Sequence, residues 1–541
     1  MLTWMGRLGL VSALLALALG ACPAAASAAG RIFQLSGALG CASERGGENC
    51  APGRGLAGAS AVAVSANGRN VYVASNDAST LTTFRRNPRT GTVAQLSGDE
   101  GCLAQIVRAG CGQARGLFGA FAVTLSPNGR NVYVASLRSV AVFARDRTTG
   151  VLTQLPGADG CMSEDSAEGC ANARGLAGVA SIAVPADGRN VYTAAVGSSA
   201  VAVFTRDPDT GALGQLAGID GCVSEGGAEG CATGRGLDGA FSVAVSPSGT
   251  EVYATASRSN AVAVLARDAD TGALGQLAGA NGCLSAAGTE GCSTARGIRG
   301  ANGIAVSPDG RNVYTASSSS NAVATFGRGS DGRLSQLGGA RGCTSEGGAE
   351  RCATGHALNG AFGIAVSSDE NNVYVASGNA LVAFQRSAGD GVLTEIEGPA
   401  GCVSQGGSDR CGVGRALLEP AGVAVSADGS NAYVASIRSD SLAVFARDPR
   451  RGFLAVAMRG LPRPCARRNF RVLVSVRTTL PLRRVRVFLD GRGIGTSDAA
   501  RLIVRVRPAR LGAGRHRLLV DAADVTGTHV RRAARFARCR N

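Results

Sequence analysis

Apolar and polar positions alternate along most of this chain, in short bursts separated by turn-forming residues. In residues 241–283, FSVAVSPSGTEVYATASRSNAVAVLARDADTGALGQLAGANGC, the run SVAVS alternates small and branched residues, PSGT supplies a turn, and EVYATAS alternates again. NAVAVLAR follows, then the turn DADTG, then ALGQLAG. Period-two runs bounded by Gly, Pro, Asp and Asn predict four short strands, and no helical periodicity lies between them.

The unit recurs seven times. Its markers are cysteines nine positions apart: Cys41/Cys50, Cys102/Cys111, Cys161/Cys170, Cys222/Cys231, Cys283/Cys292, Cys343/Cys352 and Cys402/Cys411. Asn67-Gly68, Asn128-Gly129, Asp187-Gly188, Asp309-Gly310 and Asp428-Gly429 each end one strand and open the next, as hairpin dipeptides do. All seven tyrosines, Tyr72, Tyr133, Tyr192, Tyr253, Tyr314, Tyr374 and Tyr433, fall at one place in the second strand, which reads as packing between neighbouring sheets. Four antiparallel strands at a fixed period of about sixty residues predict an all-β fold, a seven-bladed β-propeller whose blades bury their faces on one another. Phe33–Ser36 precedes the first full unit and Phe453–Met458 follows the last, so eight outer-strand segments compete for seven places. The N-terminal one is expected to help close the final blade.

SPDGRNVYTAS (307–317), with its copies SPNGRNVYVAS and SADGSNAYVAS, resembles the repeat of the YVTN-type propellers. AVFARDRTTGVLTQL (141–155) resembles the strand-turn-strand of the seven-bladed lactonase-like family. The likeness runs over roughly residues 59–458. It implies the propeller fold and, as an activity, hydrolysis of a sugar lactone, although no catalytic residue of that family maps onto this chain.

After RGLPRP (459–464) the pattern changes to five alternating runs, FRVLVSVRT, LRRVRVFLDG, ARLIVRVRP, HRLLVDAAD and HVRRAARFA. They predict a small Ig-like β-sandwich over 465–541, with Cys465 and Cys539 stapling its first strand to its last. The propeller then occupies 31–458 and 459–464 is a linker. Residues 1–28 read as a signal peptide: Arg7, an apolar run from Leu8 to Leu19, then small residues. Cleavage at Ala26-Ser27-Ala28 competes with a lipobox-like Leu19-Gly20-Ala21-Cys22 that would leave Cys22 lipidated.

Charge is divided between the two modules. Of 541 residues 55 are basic, every one an arginine, against 39 acids. From Arg459 onward 21 Arg meet only Asp490, Asp498, Asp521 and Asp524, while the preceding part is near neutral. Such asymmetry suggests an anionic neighbour for the C-terminal module, lipid headgroups or an acidic cell-surface polymer, with no specific nucleic acid expected. Seventeen cysteines resolve into Cys22 and eight pairs, a disulfide framework for an oxidising, secreted or cell-surface location. With only His356, His516 and His529 present, zinc is discounted, and no metal or cofactor is expected.

The cysteine segments should connect the outer strand of one blade to the innermost strand of the next, around the channel mouth, where their crosslinks would brace one face of the ring. Nine residues can fold back into a closed loop, and pairing between blades stays open. A cation follows each second cysteine: Arg54, Arg115, Arg174, Arg235, Arg296, His356 and Arg415. Near the channel mouth this ring could bind a carboxylate or phosphate. Alternatively each arginine ties down its own loop through Glu44, Glu164, Glu225, Glu346, Gln105 or Gln405. No GxSxG elbow, P-loop or HExxH occurs. The sequence therefore reads as an exported, non-catalytic propeller that binds a ligand or protein partner on its disulfide-braced face. A lactonase-like hydrolase and a structural or adhesive surface protein are the alternatives.

Overall fold

In the computed structural model, residues 30–447, 454–462, 465–478, 482–524 and 529–539 are described; the signal segment 1–28, including Cys22, lies outside them. The alternating runs form seven six-stranded sheets. In one blade Ala240–Val245, Glu251–Ala256 and Ala261–Arg267 run antiparallel from the channel outward. Two short strands then share the edge of the third: Leu274–Gln276 pairs with its C-terminal half and Cys283–Ser285 with its N-terminal half. Ser293–Thr294 adds a parallel outermost strand.

Four strands were expected per blade, and the cysteine segment supplies the difference. It stays on the outer edge of the sheet because its first cysteine continues the fourth strand and the loop closes beside it. The pairing left open by the sequence is resolved within loops, not between blades. Cys41 bonds Cys50, Cys102 bonds Cys111, Cys161 bonds Cys170 and Cys222 bonds Cys231. In the same way Cys283 bonds Cys292, Cys343 bonds Cys352 and Cys402 bonds Cys411, and in all seven the Cα atoms are 4.7 or 4.8 Å apart.

The location of these bonds corrects the expectation of a braced face at the channel mouth. The first cysteine of each loop pairs with the N-terminal half of the third strand, as Cys41 does with Ala443, Cys102 with Thr82 and Cys283 with Ala263. The second, Cys50, Cys111, Cys170, Cys231, Cys292, Cys352 or Cys411, is buried just before the outermost strand. The crosslinks therefore stiffen the outer edge of each blade, away from the inner strands that line the channel.

Each blade buries its faces on its neighbours, so the core is divided among the junctions. One cluster joins Tyr133, Val140 and Val142 to Ile182, Val191 and Phe204 of the next blade. All seven tyrosines are fully buried.

The ring closes by joining its two ends. Pro420–Val425, Asn431–Ser436 and Ser441–Arg447 form the inner part of the last sheet. Its outer part comes from the N-terminus: Ile32–Gln34 and Cys41–Glu44 both pair with Ser441–Arg447. The competing segment goes elsewhere. Leu454–Arg459 pairs with Phe470–Thr478 as the first strand of the sandwich, so that module begins ahead of the 459–464 linker read from the sequence.

The sandwich packs a three-stranded sheet, Leu454–Arg459, Phe470–Thr478 and Arg501–Val506, on a four-stranded one, Arg492–Ser497, Leu482–Leu489, Gly514–Asp524 and His529–Arg538. Val472, Val474, Val485, Val487, Leu518 and Val520 fill the space between them. Cys465 and Cys539 are bonded, with Cys465 in the connection that leaves the first strand and Cys539 at the end of the last.

Candidate functional site

The cation after each disulfide loop sits at a blade junction, on the outer half of the sheets, and not around the channel mouth. The sequence expectation fails because the cysteine segment joins the outer edge of the blade. The contacts reach forward to the following blade. Arg235 donates its backbone N–H to Gln276 Oε1 (3.0 Å), and Gln276 Nε2 donates back to the Arg235 carbonyl (2.8 Å). Its guanidinium donates to the carbonyls of Gly279 (2.8 Å) and Glu290 (3.1 Å) in the next loop. Glu290 in turn accepts the Gly236 N–H (2.8 Å).

Arg54, Arg115, Arg174, Arg296 and Arg415 repeat this clasp on Gly98, Gly157, Gly218, Gly339 and Gly37. Glu44, Glu164, Glu225, Glu346, Gln105 and Gln405 do not hold these arginines. Each accepts the backbone N–H twelve residues ahead, at Leu56, Leu176, Leu237, Leu358, Leu117 and Leu417. The seven cations are therefore not gathered into one site; each serves a separate junction.

His356 departs from the pattern together with its partner. Where the other junctions have Gln, this one has Glu395, which accepts the His356 backbone N–H (2.9 Å) and lies 3.5 Å from its Nδ1. Burial pushes the Glu395 carboxyl up, while the adjacent histidine pulls it down.

A second arginine ring was not anticipated. Arg86, Arg145, Arg206, Arg267, Arg328, Arg386 and Arg447 end the third strand of each blade. They reach back to the preceding blade. Arg206 Nε donates to Tyr133 Oη (2.7 Å) and Nη2 to Asn131 Oδ1 (2.7 Å) of that blade, while Nη1 donates to the Gly188 carbonyl (3.1 Å) in a turn of its own blade. Tyr133 Oη donates to the Gly211 carbonyl (2.9 Å). Asp369 and Asp428 add carboxylates to Arg447 and Arg86. Although burial works against their charge, hydrogen bonds from Ser367 and Ser426 and from those arginines hold both acids below the usual range. The signal was in the sequence as an arginine at one register in every repeat, but a charged residue at a strand end ordinarily reads as solvated.

The central channel narrows to a cavity of about 290 Å³ lined by the inner strands. Phe121, Phe241 and Phe362, from every second blade, meet there edge to face, with ring centres 5.9 and 5.2 Å apart. Ser60, Ser181, Ser242 and Asn302 supply the side-chain polar groups, and no titratable residue is among those described in the lining. Among the described residues no cluster of His, Cys, Asp and Glu could hold a metal ion.

The sandwich carries the concentrated charge. On the outer face of its four-stranded sheet Arg484, Arg486, Arg515, Arg517, Arg531 and Arg535 share one side of the pleat, because Val485, Leu518 and Val520 point inward. Arg517 and Arg535 stand directly opposite across the strands. Like charges so placed repel; the largely buried Asp521 lies near Arg531 (3.6 Å) and His529 (3.3 Å), and Asp490 accepts the Arg517 backbone N–H (2.8 Å). Elsewhere in the sandwich Arg483, Arg505 and Arg507 are exposed, whereas Arg486 of this face is half-buried.

Comparison with known proteins gives the following. A family model described as lactonase, 7-bladed beta-propeller, matches residues 44–159 and 139–285. Among solved structures, the periplasmic gluconolactonase of Pseudomonas aeruginosa is similar at 21% identity, covering 68% of this chain and 88% of that one, with a TM-score of 0.46. A candidate 6-phosphogluconolactonase of Bacteroides uniformis is similar at 19% identity over the same shares, with a TM-score of 0.46. The hydrazine synthase of Kuenenia stuttgartiensis is similar at 14% identity, covering 74% of this chain and 98% of that one, with a TM-score of 0.42. No curated protein matches the chain.

Proposed function

From a propeller of the lactonase-like seven-bladed family, we propose that this chain is an exported, non-catalytic binding protein, held at an anionic surface polymer or lipid layer by its basic sandwich. The lining of the central channel carries the reading. Opening a lactone needs a base or an activated water beside the carbonyl and a positive group to take up the developing oxyanion. The channel offers phenylalanine, serine and one asparagine there. The two recurring arginines, after each disulfide loop and at the end of each third strand, are engaged in junctions between blades, where guanidinium donors meet backbone carbonyls and tyrosine hydroxyls. Export accords with the N-terminal apolar run and with the seven loop disulfides and the Cys465–Cys539 bond, which need an oxidising compartment.

The basic face of the sandwich supports the tether. Six arginines on one side of a sheet, two directly opposed, repel one another in the free protein and are relieved by anions. We expect the oxidised full chain to co-sediment with vesicles rich in anionic lipid, to be released as salt rises, and to lose most of that binding in the Arg517→Glu, Arg535→Glu double variant. Binding unchanged by that variant would overturn the tether.

A lactonase-like hydrolase is the second reading, favoured by the family match over residues 44–285. Incubation of the purified chain with sugar lactones separates the two. We expect no ring opening above the spontaneous rate, and sustained turnover would replace our reading with this one.

A further inference from the structure

In a sevenfold architecture, the places where one blade departs from the others are the informative ones. The largest departure lies at the junction of the second and third disulfide loops. At the position of Phe118 the other units have Ala57, Ala177, Asp238, Arg299, Asn359 and Leu418, and at that of Leu137 they have Asn76, Val196, Ser257, Ser318, Gly378 and Ile437. The one other large apolar pair, Leu418 with Ile437, is half-buried, whereas Phe118 and Leu137 are 54% and 47% exposed. The two are adjacent, the Leu137 N–H donating to the Phe118 carbonyl (3.0 Å).

They floor a pocket of about 220 Å³ rimmed by Glu164, Asp165, Glu168 and Arg138. Arg138 pairs with Glu164 (3.2 Å) and Asp165 (3.5 Å), which leaves the rim net negative. The neighbouring loop departs as well. Where another copy has Gly226 and Gly227, this one has Ile106 and Val107, 58% and 84% exposed. Gln105 Oε1 accepts the Leu117 N–H (2.9 Å), which sets that loop beside Phe118. Four of the chain's exposed large apolar side chains thus gather at one sector. Exposed in water they add nothing to the fold, and clusters of this kind mark contact surfaces.

The sandwich presents the complement. On the outer face of its three-stranded sheet Ile503 is 60% exposed on an edge strand, directly opposite Leu473, which is itself opposite Arg459. Arg501, Arg505 and Arg471 complete the border, all exposed. An apolar centre ringed by arginines matches an apolar floor ringed by carboxylates in both shape of charge and chemistry. Within one chain the sandwich adjoins a different sector, where Ser36 Oγ donates to the Leu482 carbonyl (2.9 Å), and both patches remain open.

We propose that the Leu473–Ile503 face of one copy docks on the Phe118–Leu137 pocket of a second copy, giving a head-to-tail association. Because the two patches belong to different modules the contact is heterologous, and repetition builds an open chain. The contact area is small, so association is weak in free solution and strengthens where copies are concentrated on a surface.

The test is sedimentation velocity of the oxidised full chain at concentrations up to about 1 mM. Expected are oligomers that grow with concentration and recede as salt rises. Ile503→Asp and Leu137→Asp should each weaken association by about tenfold or more. Mixed, the two variants should form a one-to-one pair and nothing larger, since one retains the pocket and the other the sandwich patch. That pair also reports that both variants fold. A wild-type chain that stays monomeric throughout, variants that assemble like wild type, or a mixture that forms no pair would each overturn the proposal. Arg517→Glu with Arg535→Glu, on the opposite sheet, should leave this assembly intact, so it fails or stands independently of surface binding.

Discussion

A buried arginine beside a buried tyrosine is the unit from which the ring is joined. Each guanidinium is taken out of water and needs its charge spread over several acceptors, here a tyrosine oxygen, a turn carbonyl and an asparagine or carboxylate. The tyrosine benefits only while it is neutral. Burial pushes the hydroxyls of Tyr72, Tyr133, Tyr192 and Tyr314 up to about 12, against the opposing pull of Arg145, Arg206, Arg267 and Arg386. A folded-state value above the unfolded one gives stability that is full below pH 10 or so and is lost as pH rises toward 12. Each such tyrosine contributes on the order of 2 kcal/mol over that window. Denaturant midpoints measured from neutral pH upward should stay level to about pH 10 and then fall, with tyrosinate absorbance appearing together with unfolding. Tyrosinate formed in a protein still folded near pH 10 would contradict this. The tyrosines were legible in the sequence because an aromatic residue recurring in a short strand has little use outside a core. Their arginine partners were not, since strand-end position and charge both suggested solvent.

The disulfide loop is the element that the pattern located and misassigned. Cysteine spacing gave its recurrence and its closure, and the turn dipeptides gave the hairpins on either side. Its strand content was hidden, because Cys222–Glu225 and Ala232–Gly234 are too short to display alternation and are held in register by the crosslink between them. Placing the loop on the sheet edge is also what turned the predicted channel ring into six separate arginine clasps and one His356–Glu395 contact. The clasp contains a strained residue: Glu229 adopts φ 59, a left-handed conformation that glycine would take more easily, and its carboxylate accepts the Gly175 N–H of the preceding blade's loop (2.9 Å). Opening one disulfide should therefore loosen a junction as well as a loop. Replacing Cys222 and Cys231 with Ser should cost at most about 2.5 kcal/mol by loop entropy. Limited proteolysis should cut the variant first within 222–235 while the remaining blades stay protected. Cleavage spread evenly over all blades would show that the loops do not act locally.

For the whole molecule the decisive question is what keeps the ring shut. Six blades are each continuous in sequence, whereas the seventh takes its outer strands from the N-terminus, which pairs with Ser441–Arg447 without a covalent link to it. Ile32 and Leu35 are fully buried there, Tyr374 Oη donates to the Gly30 carbonyl (3.1 Å), and Gln34 holds the Arg415 backbone in the same clasp used elsewhere. The sequence showed eight strand segments for seven places. It favoured Phe33–Ser36 without deciding the matter, because Phe453–Met458 is apolar enough to serve as a strand as well. The structure gives the seam to the first and builds the second into the sandwich core, where Leu454 and Val456 are buried. A ring closed in this way has a weakest point that a linear stack would not have. Ile32→Asp buries a charge at the seam, while Val93→Asp places one at the equivalent position of the first blade, where chain connectivity holds the outer strand to the third. Both should destabilise locally. Only the first should release the last blade, exposing the edge of Ser441–Arg447 as an unpaired template for other strands. Amide hydrogen exchange is the measurement: in Ile32→Asp residues 441–447 should lose protection well before the other third strands, and in Val93→Asp they should not. Equal protection of those amides in the two variants would mean that the seam is no weaker than any other junction.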